Sequence, residues 1–236
     1  MLLDILQIGN PVLRRRPRAL ERDEIATPFV QELIASMRET MYDAPGVGLA
    51  APQVGESLQV VVAEDEGPWL ETMSDARRNE LERVELPFTV LVNPVLEGVG
   101  EETSEFFEGC LSIEGFSALV RRHRVVRVRA FDAAGEPFQM ELEGWPARIL
   151  QHELDHLAGV LYVAHEPADV HHQREPRPLL QGPHQRRGPG AAGRNRERDG
   201  HGVRRRTVAR RSGRFTTSRA CGSCSLMAPS WVTTRT

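Results

Sequence analysis

Apolar positions in the first 166 residues recur in two rhythms, and each predicts a different element. Phe29, Val30, Leu33, Ile34, Met37 and Met41 fall three to four apart, the spacing of one buried helical face, so a helix is expected over 28–42. Thr27 is placed to cap it, and Pro28 suits a first helical position, where no amide hydrogen is needed. Gly and Pro then break the pattern, and 44–55 is expected as a loop. Residues 58–63 and 88–92 are short apolar runs that read as strands, the second ending in a bend at Asn93-Pro94. The stretch 64–87 between them is acidic, with an exposed helix expected over 71–84. Val126, Val128 and Ala130 mark one face of a half-exposed strand over 125–131, and Ala133-Ala134-Gly135 reads as a hairpin turn into a strand at 137–142. Gly144-Trp145-Pro146 opens a helix running to about Ala158. Helices mixed with short strands, without regular βαβ alternation, predict an α+β fold.

Beyond residue 166 the rhythms stop. Leu, Ile, Val and Phe number only 8 in the last 70 residues, below the roughly 20% of a folding chain. Charge changes at the same place. Residues 1–166 hold 15 Arg and 29 acidic residues, a balance of −14, whereas 167–236 hold 15 Arg and 4 acidic residues, a balance of +11. One folded domain over 1–165 and a disordered Arg/Gly/Pro-rich tail over 166–236 are therefore expected. There is no lysine, which points to a GC-rich genome, and the tail has the composition expected when GC-rich DNA is read out of frame. No apolar run approaches the roughly 20 residues of a membrane span, and the N-terminus lacks a signal-peptide core. With only three cysteines, no disulfide framework is expected. The expectation is a cytoplasmic protein with reduced thiols and no membrane partner.

The strongest chemical signal is His152-Glu153-Leu154-Asp155-His156. Four residues advance a helix by about 6 Å and about 40° around its axis, so two imidazoles at that spacing can share one ion. The intervening Glu then sits where it can take a proton from water and return it to a leaving group. A surface helix with two coincidental His is the plain alternative, but Ile149, Leu150, Leu154 and Leu157 place this helix in the core, where a His pair needs partners. Catalytic zinc sites usually have three protein ligands. Downstream candidates are Glu166, Asp169, Glu175 and a few His; upstream stands Cys110, which taken alone reads as a small buried hydrophobe.

Three segments together resemble the peptide deformylase family: Gly46-Val47-Gly48-Leu49-Ala50-Ala51-Pro52-Gln53, Glu108-Gly109-Cys110-Leu111-Ser112, and Gln151-His152-Glu153-Leu154-Asp155-His156-Leu157-Ala158-Gly159. The early Ile8-Gly9-Asn10-Pro11-Val12-Leu13-Arg14 is similar too, and the likeness covers about 1–163. It implies antiparallel sheets packed around a central metal-binding helix. It implies Cys110, His152 and His156 as ligands of one ion per chain, Fe(II) first, with Zn(II), Ni(II) or Co(II) as alternatives. Glu153 would be general base and acid, and the Gln53 amide and the Leu111 backbone N–H would form an oxyanion hole. Val47, Gly48 and Gly109 would border the substrate, with the nascent peptide held as an added strand beside Val47 and Gly48. Trp145 and Ile149 are candidates for the pocket that takes the methionine side chain, or for ordinary core packing. Glu108 and Asp155 read as hydrogen-bonding residues around the ligands, not as participants in the chemistry. The activity implied is hydrolysis of the formyl group from N-formylmethionyl nascent peptides, with release of formate.

The likeness has gaps. The stretch 64–87 looks inserted relative to shorter members, 113–117 lacks a proline common there, and the likeness stops after Val163. A metallopeptidase built on the same helix would take a downstream acid as third ligand instead of Cys110. A ribosome- or RNA-binding protein would act through the Arg-rich tail, but only Phe215 and Trp231 could stack on bases, so no specific nucleic-acid partner is expected. Cys221 and Cys224 are a weak metal signal.

Overall fold

The computed structural model describes residues 1–67, 70 and 73–165 and the backbone of 170–172. In chain order the elements are α1 (Arg22–Ile25), α2 (Pro28–Asp43), β1 (Gly48–Ala50), β2 (Val60–Asp65), α3 (Asp75–Leu81), β3 (Leu86–Gly98), β4 (Thr103–Cys110), β5 (Ile113–His123), β6 (Val125–Phe131), β7 (Pro137–Glu143), α4 (Gly144–Ala158) and β8 (Val170–His172). Short 3₁₀ turns occupy Pro11–Arg14, Ala51–Val54 and Tyr162–Ala164. A five-stranded sheet has the order β1-β2-β3-β6-β7, and a three-stranded sheet the order β4-β5-β8. Every pairing between these strands is antiparallel.

Helix α2 buries Val30, Leu33, Ile34, Met37 and Met41, as its periodicity requires. Phe29 departs from expectation at 57% exposure, because it lies about a quarter turn from the centre of that stripe. Thr27 occupies the cap position, but its hydroxyl donates to the Glu24 carbonyl at 2.6 Å instead of capping α2.

The expected loop at 44–55 contains β1 and a 3₁₀ turn. Three residues are too few for alternation to register, so the strand was hidden among small side chains. In the acidic stretch the helix is short, Asp75–Leu81, with Ser74 accepting from the Arg77 amide at 3.3 Å and Leu81 buried. The bend at Asn93-Pro94 is a register shift inside the long β3, with Asn93 at φ 51°. The Asn93 side chain accepts from Leu20 N–H at 2.9 Å and donates to Leu20 C=O at 2.7 Å, which ties the shift to the N-terminal segment. Val126, Val128 and Ala130 are buried on one face of β6, and the turn into β7 closes at Gly135, φ 80°.

Helix α4 has Ala147, Ile149, Leu150 and Leu157 buried in a cluster with Ala50, Val61, Leu91, Val126 and Val128. It packs against β1, β2, β3, β6 and β7 of the larger sheet and β5 of the smaller one. Gly159 ends it at φ 72°, where a Cβ would stand 2.7 Å from the Arg14 carbonyl oxygen. Among the described residues no helix is long and apolar enough to cross a membrane.

Candidate active site

Three elements converge at α4. The helix carries His152, Glu153 and His156; Cys110 is the last residue of β4; Gln53 sits in the 3₁₀ turn after β1. One ligand atom from each of Cys110, His152 and His156 lies within 4.8 Å of the others. Cys110 Sγ is 3.3 Å from His156 Nε2, and the two His rings stand edge to face at 5.3 Å. Cys110 and His156 are buried and His152 nearly so.

The His pair is oriented from behind. His152 Nδ1 meets Glu108 Oε2 at 2.9 Å, which leaves Nε2 for the cluster. Glu108 is held in turn by Arg122, through two contacts of 2.9 Å, and by Arg148 Nη1 at 2.7 Å. Arg122 also donates to Asp155 Oδ2 at 2.6 Å, and His165 shares that oxygen. Burial alone would raise the Glu108 pKa, but hydrogen bonds from Arg122 and His152 outweigh it and hold the carboxyl well below its ordinary value. Burial works against a proton on His152, yet Cys110 and Glu108 together carry its pKa well above that of a free imidazole. His156 goes the other way, lowered by burial and by the neighbouring His152.

Glu153 is buried beside the cluster. Its Oε2 has no hydrogen-bond partner, and neither does His156 Nδ1. Burial pushes the Glu153 carboxyl up to about 7. Gln53 is fixed by its own turn: Oε1 accepts from Ala50 N–H at 2.8 Å, so the NH₂ points to Cys110 Sγ at 3.5 Å and Ser112 Oγ at 3.2 Å. Leu111 lies in the tight turn between β4 and β5, where Cys110 pairs with Ile113. The N-terminal segment laces these turns together, with Leu6 N–H on Gln53 C=O at 2.8 Å, Ile8 N–H on Ser112 C=O at 2.8 Å and Gln7 Nε2 on Leu111 C=O at 2.9 Å.

A pocket opens onto this cluster. Val47, Gly48, Gln53, Gly109, Cys110, Leu111, Trp145, Ile149, His152 and Glu153 all line it, whereas His156 is buried and does not line it. Sequence reasoning did not single out Arg122, Arg148 or Ser112. Arg148 stands four residues before His152, so a buried arginine one helical turn before the first histidine of the His-Glu-x-x-His motif was the available signal. The downstream acids Glu166, Asp169 and Glu175, and Cys221 and Cys224, lie outside the described residues.

The donor set fits a cation. A thiol and two imidazoles meet in a buried space, one imidazole is pinned by a carboxylate, and the same surroundings that draw a proton onto His152 would favour a metal ion there. A His-Glu-x-x-His helix that adds a cysteine from a neighbouring strand defines the class, a metal-dependent hydrolase. Residues 2–170 match the polypeptide deformylase family, and the chain belongs to it. It is 47% identical over 161 residues to peptide deformylase 1 of Streptomyces coelicolor, covering 68% of this chain and 72% of that protein. Among solved structures it is similar to a Met-Ala-Ser-bound class I type b peptide deformylase from Acinetobacter baumannii. The TM-score is 0.61 at 30% identity, over 69% of this chain and 97% of that one. A Synechococcus elongatus peptide deformylase in complex with actinonin matches with a TM-score of 0.56 at 37% identity, over 68% of this chain and 76% of that one. The family removes the N-formyl group from the N-terminal formylmethionine of nascent proteins, and it is metal-dependent.

Proposed function

We propose that Cys110, His152 and His156 hold one divalent ion, Fe(II) in the cell with Zn(II), Ni(II) or Co(II) able to replace it, and that Glu153, Gln53 and Leu111 carry the rest of the hydrolysis. The reading rests above all on the meeting of Sγ and two ring nitrogens within 4.8 Å, beside a buried carboxylate oxygen with no partner. Bound there, the ion supplies a Lewis acid that makes water nucleophilic near neutral pH. Glu153 Oε2 accepts the proton that water gives up and later delivers it to the departing amine. The Gln53 NH₂ and the Leu111 N–H donate to the formyl oxygen as it gains charge. Gln53 is held in place by Ala50 before substrate arrives, so little reorganisation is needed.

The peptide binds as a strand against β1, which is the edge strand of its sheet. Its methionine side chain enters the pocket bordered by Val47, Gly109, Trp145 and Ile149. Residues 1–165 form the whole catalytic domain, and 166–236 are a dispensable basic tail. The protein works in the cytoplasm on chains leaving the ribosome. The decisive assay is deformylation of formyl-Met-Ala-Ser by protein stripped with chelator and reloaded with Fe(II) under anaerobic conditions. Activity should vanish on stripping and return with about one equivalent of ion. Full activity in the stripped protein would overturn the assignment.

A further inference from the structure

We propose that Arg83 is a positioning residue for substrate choice, acting on the pocket through Trp145. This rests on the reading that Trp145 lines the methionine pocket. Arg83 belongs to the segment that follows α3, outside the three stretches that resemble the family. It is 3% exposed and its partner Asp65, at the end of β2, is 1% exposed. The pair is bidentate, Nε to Oδ2 and Nη2 to Oδ1, both at 2.8 Å. Taking two charges out of water is costly, and an apolar pair of similar volume would often serve stability as well. Fold stability alone is therefore a weak reason for placing a guanidinium here.

The position of the guanidinium supplies a better one. Its Cζ lies 5.5 Å from the centroid of the Trp145 ring, within range of a cation–π contact. Arg83 Nη1 makes no hydrogen bond, so that end is not committed to a backbone carbonyl. The preceding residue grips the same tryptophan by its backbone: Glu82 C=O accepts from Trp145 N–H at 3.2 Å. Gly144 fits against Glu82 at φ 64°, where a Cβ would stand 2.6 Å from the Glu82 carbonyl oxygen. Phe106 meets the indole edge to face at 6.4 Å. Trp145 is thus held at its amide and at two places on its ring, and the wall it presents to the pocket follows from where Arg83 and Glu82 sit. The Asp65–Arg83 pair sets the width of the pocket without touching substrate.

The test compares kcat and KM of the metal-loaded enzyme for formyl-Met-Ala-Ser and formyl-Ala-Ala-Ser. The paired change Asp65→Leu with Arg83→Met removes both charges together and leaves neither buried alone. It should lower the preference for the methionyl peptide about fivefold or more, through KM, while kcat for that peptide stays within about twofold. Trp145→Ala should lose the same preference, and adding it to the paired variant should cost little more. A Trp145→Ala enzyme with an unchanged preference would instead show that the pocket is not where methionine binds. If Trp145→Ala loses the preference and the paired variant keeps it, the role given to Arg83 is overturned. Should the paired variant fail to fold, Arg83→Lys is read in its place: it keeps a charge beside Asp65 but lacks the flat guanidinium. A fall in preference with Arg83→Lys supports the role, and a preference equal to that of the parent enzyme overturns it.

Discussion

Gly48 has no side chain at the one place where Glu153 needs the room. A Cβ built on Gly48 would overlap a carboxylate oxygen of Glu153 and stand 2.7 Å from its carboxyl carbon. The strand that borders the pocket and the helix that carries the acid are in contact at the acid itself. Gly48→Ala should therefore push Glu153 aside and leave the proposed metal ligands, which come from other positions, in place. Turnover of formyl-Met-Ala-Ser should fall about tenfold or more while metal content holds at one ion per chain. Overpacking should also cost about 1–3 kcal/mol of stability, readable by thermal unfolding. Parent-like kcat in Gly48→Ala would show that Glu153 tolerates displacement and is not the proton carrier.

Glu153→Gln keeps the shape of the side chain and removes its ability to move a proton. Metal should be retained, because Cys110, His152 and His156 are untouched, and kcat should fall by about a hundredfold or more. Metal analysis and kinetics on one preparation separate the two effects. Near-normal turnover with full metal would remove Glu153 from the reaction.

The site was more legible in the sequence than the sheet that carries part of it. His152, Glu153 and His156 announce themselves by helical spacing, and α4 was visible because its apolar residues repeat over four turns. Cys110 could be placed only by likeness to a family, since one cysteine has no period. The hairpin of β4 and β5 escaped notice. Its Gly and Glu residues are poor strand formers, and its buried positions include the polar side chains Glu108, Ser117 and Arg122, so no clean apolar alternation marks the strands. The carboxylate Glu108 was expected behind the His pair, but the two arginines that neutralise it come from β5 and α4. Only tertiary structure brings Arg122, Arg148 and Glu108 together. The Arg83–Trp145 contact was invisible for the same reason, being 62 positions apart in the chain.

Cys110→Ala removes the only sulfur donor and the only proposed ligand that can bring a negative charge to the ion. Metal content after dialysis should drop by about tenfold or more. The fold should survive with a loss of a few kcal/mol at most, because Cys110 is small and Ala fills much of its space. A dialysed variant with full metal would move the third ligand to another residue.

Glu108→Ala should harm stability and metal affinity together. It leaves Arg122 without its bidentate partner, Arg148 with only backbone carbonyls and Ser104, and His152 Nδ1 without an acceptor. Removing one side of a buried ion pair costs about 3–5 kcal/mol. Loss of a hydrogen bond behind a metal ligand costs about 10–100-fold in affinity. Urea unfolding and metal competition should both register the change, and Glu108→Gln should recover part of each. A Glu108→Ala protein as stable as the parent would mean that Arg122 and Arg148 find other partners.

A chain ending at His165 should bind metal and deformylate formyl-Met-Ala-Ser within about twofold of the full protein. Every residue assigned to ion, proton transfer, oxyanion or pocket precedes that point. The cut does remove β8, whose backbone pairs with Phe116, Ser117 and Ala118 on the outer edge of β5. Ser117 borders the pocket, so the loss could reach the site through that strand. A second chain ending at Gln173 keeps β8 and isolates this effect. The pairing is only three residues long, so its loss should lower the unfolding temperature by a few degrees at most, in the shorter chain alone. If both shortened chains fold, take up metal and yet fail to turn over substrate, the tail supplies something that the described site lacks. If only the shorter one fails, β8 belongs to the catalytic domain, and its boundary moves to about residue 173.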